Sequence, residues 1–210
     1  MSEQQINTMA SKLVEFQGHF SGMSTKDRQW VIQNTTEAIG LFAEAVKNRV
    51  VETAKKILSL VTTVKVSAVD RFIVAEKFRI GETDGVKIGW VGQNFKDIFL
   101  GKTEEDVPEA TLRIHQLEQA SLDAPITGEL GDTAKTFLAN LWELLRRQGH
   151  GQEGKLLVNG YANIFYIRDA NNGLWAVNAS WHADNGYWDV EADSVTDPNG
   201  WRAGSQVVSR

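Results

Sequence analysis

The spacing of apolar residues predicts helices in the first sixty residues. Along residues 24–61 they recur every three or four positions, which lines one face of a long amphipathic helix. Ser24 or Thr25 can cap its N-terminus, and a break is expected near Gly40. A shorter helix is predicted over residues 4–18. The stripe of the long helix comprises Ile39, Phe42, Val46, Val50, Ala54, Ile57 and Val61.

From about residue 63 the period shortens to two, which predicts strands. The segments "RFIVAEKFRI" and "VKIGWVG" flank "GETDG", and Asp84-Gly85 is a strong hairpin signal. Residues 93–110 have no period and read as an irregular connection, whereas "TLRIHQLEQ" alternates and predicts a strand. After a loop at residues 121–131, a helix is predicted for residues 132–148.

The last sixty residues repeat a strand-and-turn unit. Asn-Gly occurs at positions 159, 172, 185 and 199, and the phrase N-G-x-W-x-V-x-A occurs twice. This spacing predicts an antiparallel meander of about four strands. Pleat alternation assigns two sets of residues to one covered face: Trp175, Val177, Ala179 and Trp181, and then Trp188, Val190 and Ala192.

These patterns together predict an α+β fold. It has N-terminal helices, central antiparallel strands with one further helix, and a C-terminal β-meander rich in tryptophan. The expected parts are residues 1–62, 63–148 and 149–210, either as separate regions or as one compact domain.

Composition narrows the chemistry. The chain has 210 residues, a net charge of −5 and no cysteine, which excludes disulfides, thiolate nucleophiles and cysteine-based zinc sites. No signal peptide and no apolar run of about 18 residues is visible, so a cytoplasmic protein without a membrane partner is expected. The C-terminal part is acidic, so no nucleic-acid partner is expected.

Known motifs give no catalytic site. "GHGQEG" at residues 149–154 matches G-x-G-x-x-G, but it follows a predicted helix, whereas a dinucleotide site needs a preceding strand. It is interpreted as a helix end and flexible linker. No zincin, P-loop or nucleophile-elbow motif is present, and no cofactor is expected.

The candidate binding surface is the face of residues 187–193 opposite the tryptophans. It carries Tyr187, Asp189, Glu191 and Asp193, the last three alternating along one strand. Trp201 joins this set because it breaks the repeat and is expected to be the most exposed C-terminal tryptophan. A solvated acidic sheet face is the simpler reading of the row of acids.

Three functional hypotheses follow. The leading one is a non-enzymatic protein-protein interaction or assembly module, with a protein partner or a second copy of the chain. The alternative is a module that binds carbohydrate or a small apolar ligand through the C-terminal aromatic residues. The third is a metal-assisted hydrolase that uses Asp189 and Glu191 with His182 and Asp184, which are weak candidates for metal ligands.

Overall fold

The computed structural model describes residues 24–34, 36–41, 44 and 56–210. The chain divides into two compact units, Met1–Lys55 and Lys56–Arg210. The helix predicted over residues 4–18 lies outside the described residues. In the described parts, no helix is long and apolar enough to cross a membrane.

The first unit contains helix α1, Thr25–Gln33, and residues 36–41 and 44 are also helical. The predicted start is confirmed, because the Ser24 hydroxyl accepts a hydrogen bond from the Asp27 amide at 3.2 Å. The predicted end of the long helix is wrong: Leu58 begins a strand. The β-branched run Val61-Thr62-Thr63-Val64 favours a strand there.

The second unit is dominated by strands, which confirms the α+β class. Its helices are α2 (Val74–Lys77), α3 (Gln93–Phe99), α4 (Asp123–Leu130) and α5 (Leu138–Arg147), with a 3-10 turn at Gly131–Ala134. Its strands are β1 (Leu58–Val66), β2 (Val69–Ile73), β3 (Gly81–Thr83), β4 (Val86–Val91), β5 (Thr103–Val107), β6 (Ala110–Leu117), β7 (Lys135–Thr136), β8 (Asn163–Arg168), β9 (Leu174–His182), β10 (Tyr187–Ser194) and β11 (Gln206–Ser209).

Within residues 56–210, nine of these strands form one mixed sheet. Its order is β1-β6-β11-β8-β9-β10-β4-β3, with β7 also paired to β8. Strands β8, β9 and β10 form the predicted antiparallel meander. The fourth strand differs from the prediction, because β11 crosses back to lie between β6 and β8, and β10 pairs instead with β4 in parallel.

The two hairpin turns of the meander and the turn of the β3–β4 hairpin match the sequence signals. Asp84 and Gly85 both have positive φ, at 49° and 77°, as a tight hairpin turn requires. Asn172 and Gly186 also have positive φ, at 67° and 64°, between the strands of the meander. Asn-Gly therefore supplies the left-handed backbone at these turns.

The sheet buries a different apolar cluster on each face. The larger cluster joins α3 and α5 to side chains of β4, β9 and β10, including Trp181 and Trp188. The smaller cluster joins α4 to part of the opposite face, around Ile126 and Tyr166. The predicted burial of the Trp-Val rows is confirmed, since Trp188 is fully buried and Trp181 is only 9% exposed.

Residues 93–110 are not irregular, so that prediction is wrong. Helix α3 buries Phe95 and Phe99, which lie one helical turn apart. Strand β5 follows and pairs with β2 in a separate two-stranded sheet. Strand β5 is short and mostly polar, so its sequence shows no alternation of apolar and polar residues. Glu104 is buried, although a glutamate is expected to face solvent.

Two further boundaries differ from the sequence prediction. The segment read as a loop at residues 121–131 contains α4, whose Ile126 is buried. The helix predicted for residues 132–148 starts later, at Leu138, because the 3-10 turn and β7 precede it. It ends at Arg147, close to the predicted end.

A buried carboxylate fixes the start of α5. Glu104 is only 4% exposed, and its two oxygens accept hydrogen bonds from the amides of Leu138 and Ala139 at 3.1 and 2.9 Å. Lys102 donates to the same carboxylate at 2.9 Å and to the carbonyl of Arg168 at 2.6 Å. Strand β5 thus satisfies the free amides at the helix N-terminus.

The segment "GHGQEG" closes the other end of α5, and it is not a free linker. The buried Gln148 side chain accepts hydrogen bonds from the amides of Lys155 and Leu156 at 2.6 and 2.7 Å. Its amide group donates to the carbonyls of Gln152 and Leu156. Gly149 lies so near β4 that a Cβ would come within 1.7 Å of the Gly85 carbonyl oxygen. The glycines permit close backbone approach.

We predict that Glu104→Ala lowers the free energy of unfolding by about 3 kcal/mol, because it leaves Lys102 and two helix amides without their buried partner. Urea denaturation followed by circular dichroism measures the change. The matched control is Glu105→Ala, which removes an exposed ion pair with Arg71 and is expected to cost less than about 1 kcal/mol. Equal effects of the two substitutions would contradict the role assigned to Glu104.

Candidate functional site

The outward side of β10 carries the predicted acidic row. Its inward residues enter the larger cluster, so strand alternation turns Tyr187, Asp189, Glu191 and Asp193 to the opposite side of the sheet. The structure therefore brings these four predicted residues together on one face. All four are partly buried.

Strand β9 supplies polar neighbours to this row. Ser180 is the cross-strand partner of Asp189, and Asn178 is the partner of Glu191. The Asn178 amide donates a hydrogen bond to Asp193 at 3.1 Å. Hydroxyl and amide groups therefore lie beside the carboxylates along the length of the strand.

Strand β4 borders the row on its other side and adds an aromatic residue. Trp90 is the register partner of Asp189 and is 43% exposed. Two glycines flank it. A Cβ at Gly89 would lie 2.2 Å from the Tyr187 ring, so the ring rests directly on the strand backbone. We call the surface formed by Trp90, Asn178, Ser180, Tyr187, Asp189, Glu191 and Asp193 the open acidic face.

The second glycine accommodates a carboxylate. A Cβ at Gly92 would lie 2.9 Å from Glu191 Oε1 and 3.0 Å from Trp90 Cη2. The Glu191 side chain and the Trp90 ring therefore border the same backbone position. The close approach of Tyr187 to Gly89 and of Glu191 to Gly92 requires that neither position carries a side chain.

The open acidic face holds its protons more tightly than free carboxyls do. Burial raises the pKa of Asp189, and the nearby His182 partly opposes this. Burial also raises the pKa of Glu191, with further contributions from the negative charges of Asp193 and Asp189. The pKa of Asp193 is raised by burial and then by Asp197 and Asp123, although the hydrogen bond from Asn178 lowers it.

Among the described residues, no lysine or arginine forms an ion pair with these three carboxylates. Oδ1 of Asp189 is shielded from solvent and has no hydrogen-bond partner within the described chain. Partly desolvated carboxylates without cations are costly, because each loses hydration without gaining an opposite charge. The three carboxylates of this face therefore lack a compensating positive charge among the described residues.

Trp201 lies in a different environment. Its ring is partly buried against the smaller cluster, and its indole N–H donates to Asp123 at 2.7 Å. Asp123 is itself buried and also accepts from the Tyr166 hydroxyl at 2.7 Å. Burial and the Asp123 charge raise the pKa of Tyr166. Trp201 is more exposed than Trp181 and Trp188, which are buried, and its polar contact with Asp123 holds the ring against the smaller cluster.

Of the weak metal candidates, His182 is the last residue of β9 and Asp184 lies in the turn that follows. His182 and Asp184 are both exposed, and the His182 ring packs near Tyr187, with centroids 5.5 Å apart. Over the residues that the structure describes, no group of three or more histidine or acidic side chains is arranged to hold a metal ion.

No protein-family model matches this chain, and no curated protein or solved structure is significantly similar to it. The geometry and charge of the open acidic face are therefore the basis for a functional proposal.

Sequence reasoning missed Trp90. Its signal was the phrase Gly-Trp-Val-Gly, in which one glycine inside a strand and another just after it indicate close approach by other side chains. What the sequence does not reveal is that β4 pairs with β10, because about a hundred residues separate the two strands. Among the described residues, the exposed tryptophans are Trp30 and Trp90.

The raised pKa values predict a pH dependence of stability. Between the ordinary carboxyl pKa, about 4, and the raised values, the folded chain binds more protons than the unfolded chain. The three carboxyls therefore contribute stability below the ordinary pKa, and this contribution is lost as pH rises through the raised pKa values. The variant D189N/E191Q/D193N has no carboxyl at these three positions, so its stability does not undergo this loss as pH rises.

We predict that the free energy of unfolding of this variant, relative to that of the wild type, increases as pH rises from about 3 to about 7. Urea denaturation at a series of pH values measures the difference. D70N/E109Q/E153Q makes the same change in net charge at three exposed acids outside the face. An equal increase in that control would assign the effect to net charge rather than to the open acidic face.

Proposed function

We propose that the chain is a non-enzymatic protein-binding module that binds a positively charged segment of a partner through the open acidic face. The observation that carries this proposal is the set of three partly buried carboxylates that share one sheet face and lack a cation among the described residues. A cytoplasmic location is part of the proposal and is in keeping with the absence of cysteine.

Charge favours a basic partner over other classes. Burial, and then repulsion between neighbouring carboxylates, raises the pKa of Glu191 and Asp193, and bound lysine or arginine side chains would offset both effects. Interaction energies at a part-buried surface are several times those in bulk water, so even a few pairs give measurable affinity. The same surface repels nucleic acid, whose phosphates are negative.

Shape favours an extended segment. The acids of β10 alternate along one strand at a spacing of about 6.5–7 Å, which is also the spacing of alternate side chains in an extended peptide. Trp90 and Tyr187 add aromatic surface beside the carboxylates, and tyrosine and tryptophan are enriched in protein interfaces. A carbohydrate partner has weaker support, because Trp181 and Trp188 are buried in the core.

The test is the affinity of a labelled peptide in which lysine and arginine alternate with serine, measured by fluorescence anisotropy. The wild type is expected to bind it, and D189N/E191Q/D193N is expected to bind at least about tenfold more weakly, a change of about 1.4 kcal/mol. D70N/E109Q/E153Q has the same net charge as that variant and is expected to bind within about twofold of the wild type.

The proposal is overturned by either of two results. The first is a peptide that does not bind the wild type at low ionic strength. The second is equal weakening by the two triple variants, which would show that net charge alone attracts the peptide. The unfolding midpoint of each variant at neutral pH establishes that loss of binding is not loss of folding.

A further inference from the structure

The open acidic face contains a position at which an aromatic ring and two carboxylates converge. Trp90 lies in register with Asp189, and its Cη2 shares the space above Gly92 with Glu191 Oε1. A Cβ at residue 92 would collide with both groups, because the Trp90 ring and the Glu191 carboxylate already occupy the position above this glycine. Glycine at residue 92, directly after β4, therefore lets the ring and the carboxylate lie side by side.

Each component of this position has unused capacity to bind. Trp90 is 43% exposed, which is high for a tryptophan on a sheet face. Oδ1 of Asp189 has no hydrogen-bond partner in the described chain, but it is shielded from solvent, so Asp189 contributes its negative charge rather than this oxygen. Glu191 forms no hydrogen bond with any described residue, so its acceptor positions are available.

We propose that Trp90, Asp189 and Glu191 form an anchor site for a single arginine side chain of the bound segment. This inference rests on the proposed function and names the residue that the open acidic face selects. The guanidinium is planar, stacks on an indole ring and donates up to two parallel hydrogen bonds to one carboxylate.

Lysine fits the same position less well. Its ammonium is a compact, strongly hydrated point charge that cannot stack as a plane or donate in a fixed fork. A purely electrostatic face would bind arginine and lysine equally, whereas an anchor made of a ring and carboxylates distinguishes them. Selectivity for arginine is therefore the property that separates this site from general attraction to positive charge.

The experiment compares two labelled peptides that alternate basic residues with serine, one with arginine only and the other with lysine only. The wild type is expected to bind the arginine peptide about tenfold more tightly. Trp90→Leu and Gly92→Ala are each expected to reduce this ratio to about one. Gly92→Ala has the advantage that its φ of −60° suits alanine, so the new Cβ acts by displacing the Glu191 carboxylate and the Trp90 ring, from which it would lie 2.9 and 3.0 Å.

Trp30→Leu is the matched control, because Trp30 is similarly exposed at 40% but lies on α1. It is expected to leave the ratio unchanged. Equal affinity of the two peptides for the wild type would overturn the anchor site. If D189N/E191Q/D193N still lost binding in that case, the proposed function would stand. If neither peptide bound the wild type, both proposals would fail.

Discussion

The burial of Trp188 beneath the end of α5 determines which side chains the molecule presents on its outer face. Its ring is fully buried, packs edge-on against Trp181 with centroids 5.4 Å apart, and its indole N–H donates to the Gln148 carbonyl at 3.0 Å. A buried indole needs such an acceptor. Because side chains alternate along a strand, fixing Trp188 inward turns Asp189 and Glu191 outward.

The same end of α5 is shaped by backbone contacts that only small residues permit. Gln148 binds the loop that follows it with both ends of its side-chain amide, and Gly151 lies against the Trp181 ring, where a Cβ would come within 2.0 Å. At the other end of the helix, Glu104 binds the first amides. Contacts at both ends of α5 therefore hold this helix against one face of the sheet. The open acidic face lies on the opposite face of the sheet.

Local pattern was enough to predict the parts of the fold that depend on local physics. The alternation of Trp188 and Asp189 predicted the two faces of β10, and Asn-Gly predicted its hairpin turn. Local pattern could not predict the long-range strand pairing. Nothing near Asn199-Gly200 indicates that β11 returns to β8, and nothing in the sequence of β4 indicates that it pairs with β10. The candidate site was therefore half predicted, with its acids identified and Trp90 missed.

The most direct test of the open acidic face is chemical-shift mapping by nuclear magnetic resonance during titration with the mixed lysine-arginine peptide. The predicted result is that shifts concentrate on the indole N–H of Trp90, on the amides of β10 and on the side-chain amide of Asn178. Shifts that concentrate instead on the edge strand β1, where Leu60 and Val61 are exposed, would contradict the assignment of the binding surface.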